Sequence, residues 1–259
     1  MTSPIEHQLH EEGRLLSITL ARPKANILDA EMMTAIEEEL ASRANDKHLR
    51  GVILRGKGGN FSFGASVPEH RRENVRDMLA TFHRFTRTVA TFPVPIIALV
   101  EGRCLGGAFE LALACHVVLA TDNAVFACPE IKLGVIPPVL SVIGHLRLGG
   151  ALAERMLVTG SEIDARTAHA SGFVTDIAPA PDPFDFAFQW WSKHLAPLSA
   201  FSLREATYAA RKGSGMLAQL GAPLEAAEQR YLDRLVPSND GNEGIEAFLE
   251  KRAPQWEDA

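Results

Sequence analysis

The feature that most constrains the fold is the stretch Val100–Ala120, VEGRCLGGAFELALACHVVLA. From Leu105 onward every residue in it is small or apolar except Glu110 and His116. Read as a helix, GGAFELALAC carries Phe109, Leu111, Leu113 and Ala114 on all its faces, and a helix apolar all round is a buried one. The chain must therefore enclose this helix on every side. The flanking runs supply the walls: PVPIIALVEG reads as a buried strand, and HVVLATDNAVFAC as two short strands around the turn TDN. An ionised glutamate in such a place costs several kcal/mol or drifts towards the neutral acid, so Glu110 needs a reason to be there. It either works chemically or satisfies the amides of the first helical turn.

The rest of the chain repeats the same alternation. LLSITLARP (Leu15–Pro23) alternates and stops at proline, as a strand does. LDAEMMTAIEEELASRAND reads as a helix with Asp29 as N-cap and Met32, Met33, Ile36 and Leu40 on one face. Arg50–Gly56 is a short buried strand, followed by the glycine-rich GKGGNFSFGAS and a polar amphipathic helix expected over about Pro68–Thr91. A helix around AERMLVTG, a shorter one in IDARTAHASG and a strand in FVTDIA follow. Pro179–Phe184, PAPDPF, is the sharpest break in composition, and beyond it only helical patterns remain. Strand–strand–helix alternation with a helical tail predicts an α/β fold with a C-terminal helical subdomain.

Composition excludes several functions. A net charge of −6 argues against the phosphate backbone of nucleic acid as the main partner. The apolar stretches Phe92–Val100 and Leu111–Ala120 are too short to span a membrane, and the first residues lack the pattern of a secretory signal. Three cysteines, Cys104, Cys115 and Cys128, form neither a disulfide framework nor a CxxC pair, so a reducing cytoplasm and no metal are expected. GKGGNF ends in phenylalanine where a dinucleotide fingerprint needs glycine, and no phosphate loop or GxSxG elbow occurs. His7 and His10 lie three apart without HExxH and read as surface residues near a frayed end.

What remains is a site of backbone and carboxylates. Gly106 and Gly107 open the buried helix with free amides and no Cβ in the way, the geometry of an anion or oxyanion site, though taken alone the pair reads as a simple tight turn. Glu130, in FACPEIKLGVIPPV, is a second carboxylate among apolar residues. In FSFGASVPEH, Gly64 and Ala65 sit at a loop-to-helix junction where Ser66 and Glu69 fit a capping box. Two amide donors from separate loops and two buried carboxylates can polarise a carbonyl and move protons beside it.

These segments, with FLEKRAP near the end, resemble the crotonase (enoyl-CoA hydratase/isomerase) superfamily in order and spacing, from ARPKANILDAEMM to FLEKR. The resemblance implies a spiral of β-β-α units over 1–183 that binds acyl-CoA. It also implies a helical trimerisation region over 184–259 and assembly as a homotrimer or dimer of trimers. Coenzyme A would enter as part of the substrate, with no separate cofactor. The family's paired amides map to Ala65 and Gly107, and its two catalytic glutamates to Glu110 and Glu130. Arg22 and Lys24 match a basic stretch near the CoA phosphates. Phe248 and Lys251 match residues that can reach the CoA of a neighbouring subunit. Gly64, Ser66 and Gly106 belong to the turns that carry the amides.

The sequence departs from the family pattern after Glu130. GVIPPVLSVIGHLRLGG, with Pro137, Pro138, Val139, Leu140, Val142 and Ile143, is stiffer and more apolar than usual, and Ser66 and His116 stand where aspartates are common. The segment is similar to that of hydratases acting on a cyclic dienoyl-CoA, cyclohexa-1,5-diene-1-carbonyl-CoA. Neutral core changes in a general enoyl-CoA hydratase explain it equally well. An isomerase, a thioester hydrolase and a non-catalytic binder of the same fold are the competing classes.

Overall fold

The computed structural model describes residues 3–179 and 181–258. Nine strands are described: β1 (Ile5–His10), β2 (Leu15–Leu20), β3 (Val52–Gly56), β4 (Ile96–Val100), β5 (Arg103–Leu105), β6 (Val117–Thr121), β7 (Val125–Ala127), β8 (Ile163–Asp164) and β9 (Asp176–Ala178). Between and after them lie α1 (Ala30–Arg43), α2 (Val75–Ala90), α3 (Gly107–Ala114), α4 (Pro138–Leu148), α5 (Gly150–Thr159) and α6 (Ala165–Ala170). The chain closes with α7 (Pro183–His194), α8 (Ala200–Gly213), α9 (Met216–Gln219), α10 (Ala222–Arg230) and α11 (Asn239–Leu249).

The large sheet runs β1-β2-β3-β4-β6-β9, antiparallel only between β1 and β2. The small sheet runs β5-β7-β8. From β4 to β7 the strands alternate between the two: β4 turns through Glu101–Gly102 into β5, and β6 through Asp122–Ala124 into β7. Isolated bridges Leu28↔Ala65 and Ser62↔Cys104 extend the second layer backwards along the chain. Each turn of the chain thus gives a strand to both layers and then a helix, which winds a spiral.

Both faces of the large sheet are covered, which is why its strands read as unbroken apolar runs. Leu16, Ile18, Val52, Leu54, Ile96, Ala98 and Val118 face the main core, where α3 is buried along its whole length. Leu15, Ile53, Ile97, Leu99 and Leu119 face the other way, against Ala187 and Trp191 of α7. A Cβ at Gly51 would lie 2.9 Å from the Trp191 ring, so glycine sets how closely α7 seats. Packing therefore carries across the composition break at 183/184, although no strand follows it among the described residues.

Several expectations change. The first residues are not frayed: β1 pairs with β2 from Ile5↔Leu20 to His10↔Leu15. His10 Nε2 lies 2.9 Å from Ser17 Oγ, and His7 meets Glu39 at 2.6 Å. The helix expected over Pro68–Thr91 is a 3-10 turn, Val67–His70, and then α2. Arg71 pairs with Glu246 (2.9 and 3.1 Å) and Arg72 donates to the Val236 carbonyl, and these bonds to the C-terminal segment hold the break. The capping box does not form, since the Glu69 N–H donates to the Ser66 carbonyl (3.1 Å) and the Ser66 hydroxyl caps nothing. PPVLSVIGHLRL, for which the pattern predicts no helix, forms α4, with Gly149 at φ 80° separating it from α5.

Candidate active site

Two glycine turns meet at the N-terminus of α3. Gly64 has φ +95° and Gly106 has φ +53°, values that strain any residue with a Cβ. A Cβ on Gly64 would lie 2.5 Å from the Leu105 carbonyl and 3.2 Å from the Gly107 nitrogen. One on Gly107 would lie 3.4 Å from the Ala65 Cβ. The Ala65 and Gly107 turns are therefore in contact, and neither residue's N–H has a partner among the described residues. The first loop is pinned by Asn26, fully buried at φ +46°, whose Nδ2 donates to the carbonyls of Lys57, Asn60 and Phe61.

Glu110 stands one turn into α3, buried, with Oε1 accepting the Leu140 N–H at 2.9 Å. The donor belongs to the first turn of α4, so the proline-rich segment presents a helix N-terminus to the carboxylate. Burial pushes the Glu110 pKa up, and the amides of Leu140 and Val139 oppose that push. Glu130 lies on the 3-10 turn Pro129–Leu133. A Cβ on Gly106 would come within 2.7 Å of its Oε1, which puts this carboxylate at the same helix end. Its Oε2 is buried with no partner among the described residues. Burial raises the Glu130 pKa and repulsion from Glu110 raises it further. Of the two, Glu110 has the amides that favour its charge, so Glu130 is the better holder of a shared proton.

Between the carboxylates lies a chamber where the centre of a water molecule has about 20 Å³, enough for one. Ala65, Gly107, Glu110, Glu130, His70 and Tyr231 supply its polar groups, and Met78, Leu79, Phe82, Ile136, Pro137 and Pro138 its apolar wall. The His70 ring sits 2.9 Å from the Ser66 carbonyl through Nδ1, and burial lowers its pKa, so it is neutral. Ala65, His70, Gly107 and Glu130 also line a larger groove of about 670 Å³ on the same measure. This groove runs past Ala25, Phe63, Ser66 and Leu133 to Phe248, Leu249 and Arg252. A long apolar channel thus ends at two amides and two acids.

The structure brings Gly64, Ala65, Ser66, Gly106, Gly107, Glu110, Glu130, Pro137 and Pro138 to one place. Val139 and Leu140 do not line it: their side chains are in the main core and their amides serve Glu110 instead. Arg22 is held by Asp29 and Glu31, and neither it nor Lys24 lines the groove. Lys251 also lies off the groove, whereas Lys132 and Arg252 line it. Phe248 lines the groove of its own chain. His70, Tyr231 and Asn26 escaped the sequence reading. His70 follows a proline turn that only the helix break reveals, and Asn26 could have been sought as a polar residue next to a strand-ending proline. Tyr231 has no local signal.

Comparison with known proteins agrees with this geometry. The profile of the family described as enoyl-CoA hydratase/isomerase matches residues 10–259. The chain is 41% identical over 256 residues to cyclohexa-1,5-dienecarbonyl-CoA hydratase of Thauera aromatica, covering 99% of this chain and 98% of that one. It is 34% identical to 2,3-dehydroadipyl-CoA hydratase of Escherichia coli, with 95% and 96% covered. The structure superposes on an enoyl-CoA hydratase/isomerase from Xanthobacter autotrophicus with a TM-score of 0.86, at 27% identity and 96% and 94% coverage. With nearly its whole length matched, the chain belongs to the enoyl-CoA hydratase/isomerase family.

Proposed function

We propose that this protein is a hydro-lyase that adds water to a conjugated enoyl- or dienoyl-CoA thioester, with cyclohexa-1,5-diene-1-carbonyl-CoA as substrate. The observation that carries the reading is the one-water chamber lined by both Glu110 and Glu130, which shares Ala65, His70, Gly107 and Glu130 with the apolar groove. The thioester oxygen binds the Ala65 and Gly107 amides, which stabilise the charge it gains; losing one such donor typically costs about 3 kcal/mol. Glu110, the carboxylate, takes a proton from the water as its oxygen attacks the electron-poor carbon. Glu130, the acid, gives its proton to the enolate carbon, so one water is consumed and the pair is left with the proton exchanged. The proton returns from Glu110 to Glu130 before the next turnover.

For the acyl group, the support is the Thauera aromatica relative together with the rigid apolar wall of Met78, Leu79, Phe82, Ile136, Pro137 and Pro138. A flat ring fills such a wall with little loss of freedom. Lys132 and Arg252 at the groove would meet the anionic end of coenzyme A. Assembly as a homotrimer or a dimer of trimers, in the cytoplasm, completes the reading. Among the described residues no helix is long and apolar enough to cross a membrane.

The test is a panel of crotonyl-, cyclohexenoyl- and cyclohexadienoyl-CoA, with products weighed by mass. Gain of one water, greatest with the cyclic diene, is expected. Strong preference for crotonyl-CoA would make this a general hydratase. An unchanged mass with a moved double bond would make it an isomerase, and released CoA a hydrolase. No turnover together with tight thioester binding would leave a binding protein.

A further inference from the structure

Tyr231 is buried at 1% exposure, yet its hydroxyl has no hydrogen-bond partner among the described residues. A buried phenol without a partner is costly, and a fold that keeps one has normally left it for something that binds. Two further observations say where it points. The residue lines the water chamber with Glu110, Glu130 and His70. The other orphaned polar atom on a residue lining that chamber, among the described residues, is Glu130 Oε2, an acceptor when ionised, and the chamber has room for one water. The backbone is irregular at the same point: Tyr231–Leu235 is a π-helical turn continuing α10, closed by the Val236 N–H on the Tyr231 carbonyl at 3.1 Å. Such wide turns shift the side chains beyond them on the helix surface and occur often at functional sites.

We propose that the Tyr231 hydroxyl is the third polar wall of this chamber and positions the water that is added, holding it against Glu110 and Glu130. The inference rests on the hydratase reading and adds a residue to it. Burial and the two neighbouring carboxylates push the phenol's pKa up, so it stays protonated as a donor. A water gripped at one point by Glu110 can still rotate. A second contact from Tyr231 fixes the direction of its lone pair towards the carbon attacked, and this alignment is what an entropy-limited step needs. The same contact serves the reverse reaction, where the departing hydroxyl occupies the water's place.

Tyr231→Phe tests this, since only one oxygen is removed. Expected are a 10- to 100-fold fall in kcat in both hydration and dehydration, with KM for the thioester within about twofold. Tm should be equal to or above that of the parent, because an unpartnered buried hydroxyl is gone. A hydroxyl that merely held the fold would instead lower Tm and leave kcat per folded molecule intact, and that result, like an unchanged kcat, overturns the proposal. If the parent protein hydrates none of the thioesters, the hydratase reading fails first, and the placement of Tyr231 is then read from Tm against pH. The titratable groups around the chamber are Glu110, Glu130 and His70, with the Cys128 thiol behind Glu130 and the His83–Glu228 pair a helical turn away. Loss of the donor should move the carboxylate limb of that curve to higher pH, and an unmoved limb overturns the placement.

Discussion

The two ends of the eight-residue helix α3 are treated in opposite ways. At the C-terminal end two guanidiniums take carbonyls: Arg211 donates to the Ala114 carbonyl and Arg147 to that of Cys115, at 2.6 and 3.3 Å. The Ile96 N–H donates to His116 Nδ1, and the residues around it are sealed from water. At the N-terminal end the Gly107 amide is left free, the partnering loop is held open by glycines, and two acids are kept without cations. Guanidiniums at a helix C-terminus and carboxylates near its N-terminus both suit the dipole. What each end leaves unpartnered differs: the Nε atoms of Arg147 and Arg211 and Nε2 of His116 at the C-terminal end, and main-chain amides with a carboxylate oxygen at the N-terminal end, among the described residues. One end of the helix is closed by the protein's own side chains; the other is left open.

Breaking the open end should cost activity most. Glu110→Gln and Glu130→Gln are each expected to lower kcat by about 100- to 10,000-fold, measured at saturating thioester. In the first variant the new side-chain carbonyl can still accept the Leu140 N–H, so the fold persists. Gly106→Ala comes next, because its Cβ would lie 2.7 Å from Glu130 Oε1 at a φ of +53°. Its expected cost is about 1–3 kcal/mol of stability together with a fall in kcat, read by calorimetry and steady-state rates. At the closed end the signature reverses. Arg211→Ala exposes the Ala114 carbonyl inside the core and should cost about 1–3 kcal/mol, with kcat/KM per folded molecule within twofold. Should Arg211→Ala abolish turnover while leaving Tm alone, the contrast between the two ends fails.

The smallest effect sharpens the contrast through pH. Glu130 has its pKa raised on folding from an ordinary 4.5 to about 8, by burial first and by Glu110 second. The native state therefore holds that proton more tightly than the unfolded chain. Stability contributed this way is complete below about pH 4.5 and is lost as pH rises through about 8. Glu130→Gln should flatten that decline and leave the variant more thermostable than its parent at pH 8, by about 2–4 °C per kcal/mol recovered. An identical fall of Tm with pH in both proteins would show that the carboxyl pair carries no strain.

How much of this was legible in the sequence depends on whether a residue's cost is local. Glu110 announces itself because a charge in FELALA has no cheap explanation nearby, and Gly106–Gly107 because glycine at a helix start has a backbone meaning. The strands of the large sheet are legible for the same reason, being apolar on both faces. β1, by contrast, has the sequence IEHQLH, polar along most of its exposed length, and exists because β2 offers it an edge. The break at Arg71–Asn74 is set by Glu246 and Val236, residues far along the chain. Val139 and Leu140 look like pocket lining from their apolar character, but it is their amides that count, and no pattern of side chains reports that. Tyr231 is the extreme case, an aromatic in a polar helix whose only distinction is what lies opposite.

The last helix carries one more consequence. α11 packs on both 3-10 turns, the one ending in His70 and the one bearing Glu130, and Gly244 meets it so closely that a Cβ would lie 2.3 Å from the Leu133 carbonyl. The acid at position 130 is therefore braced by chain made more than a hundred residues later. On the ribosome the spiral can be complete while the reaction centre is still unbuilt, and competence waits until Asn239–Leu249 has emerged.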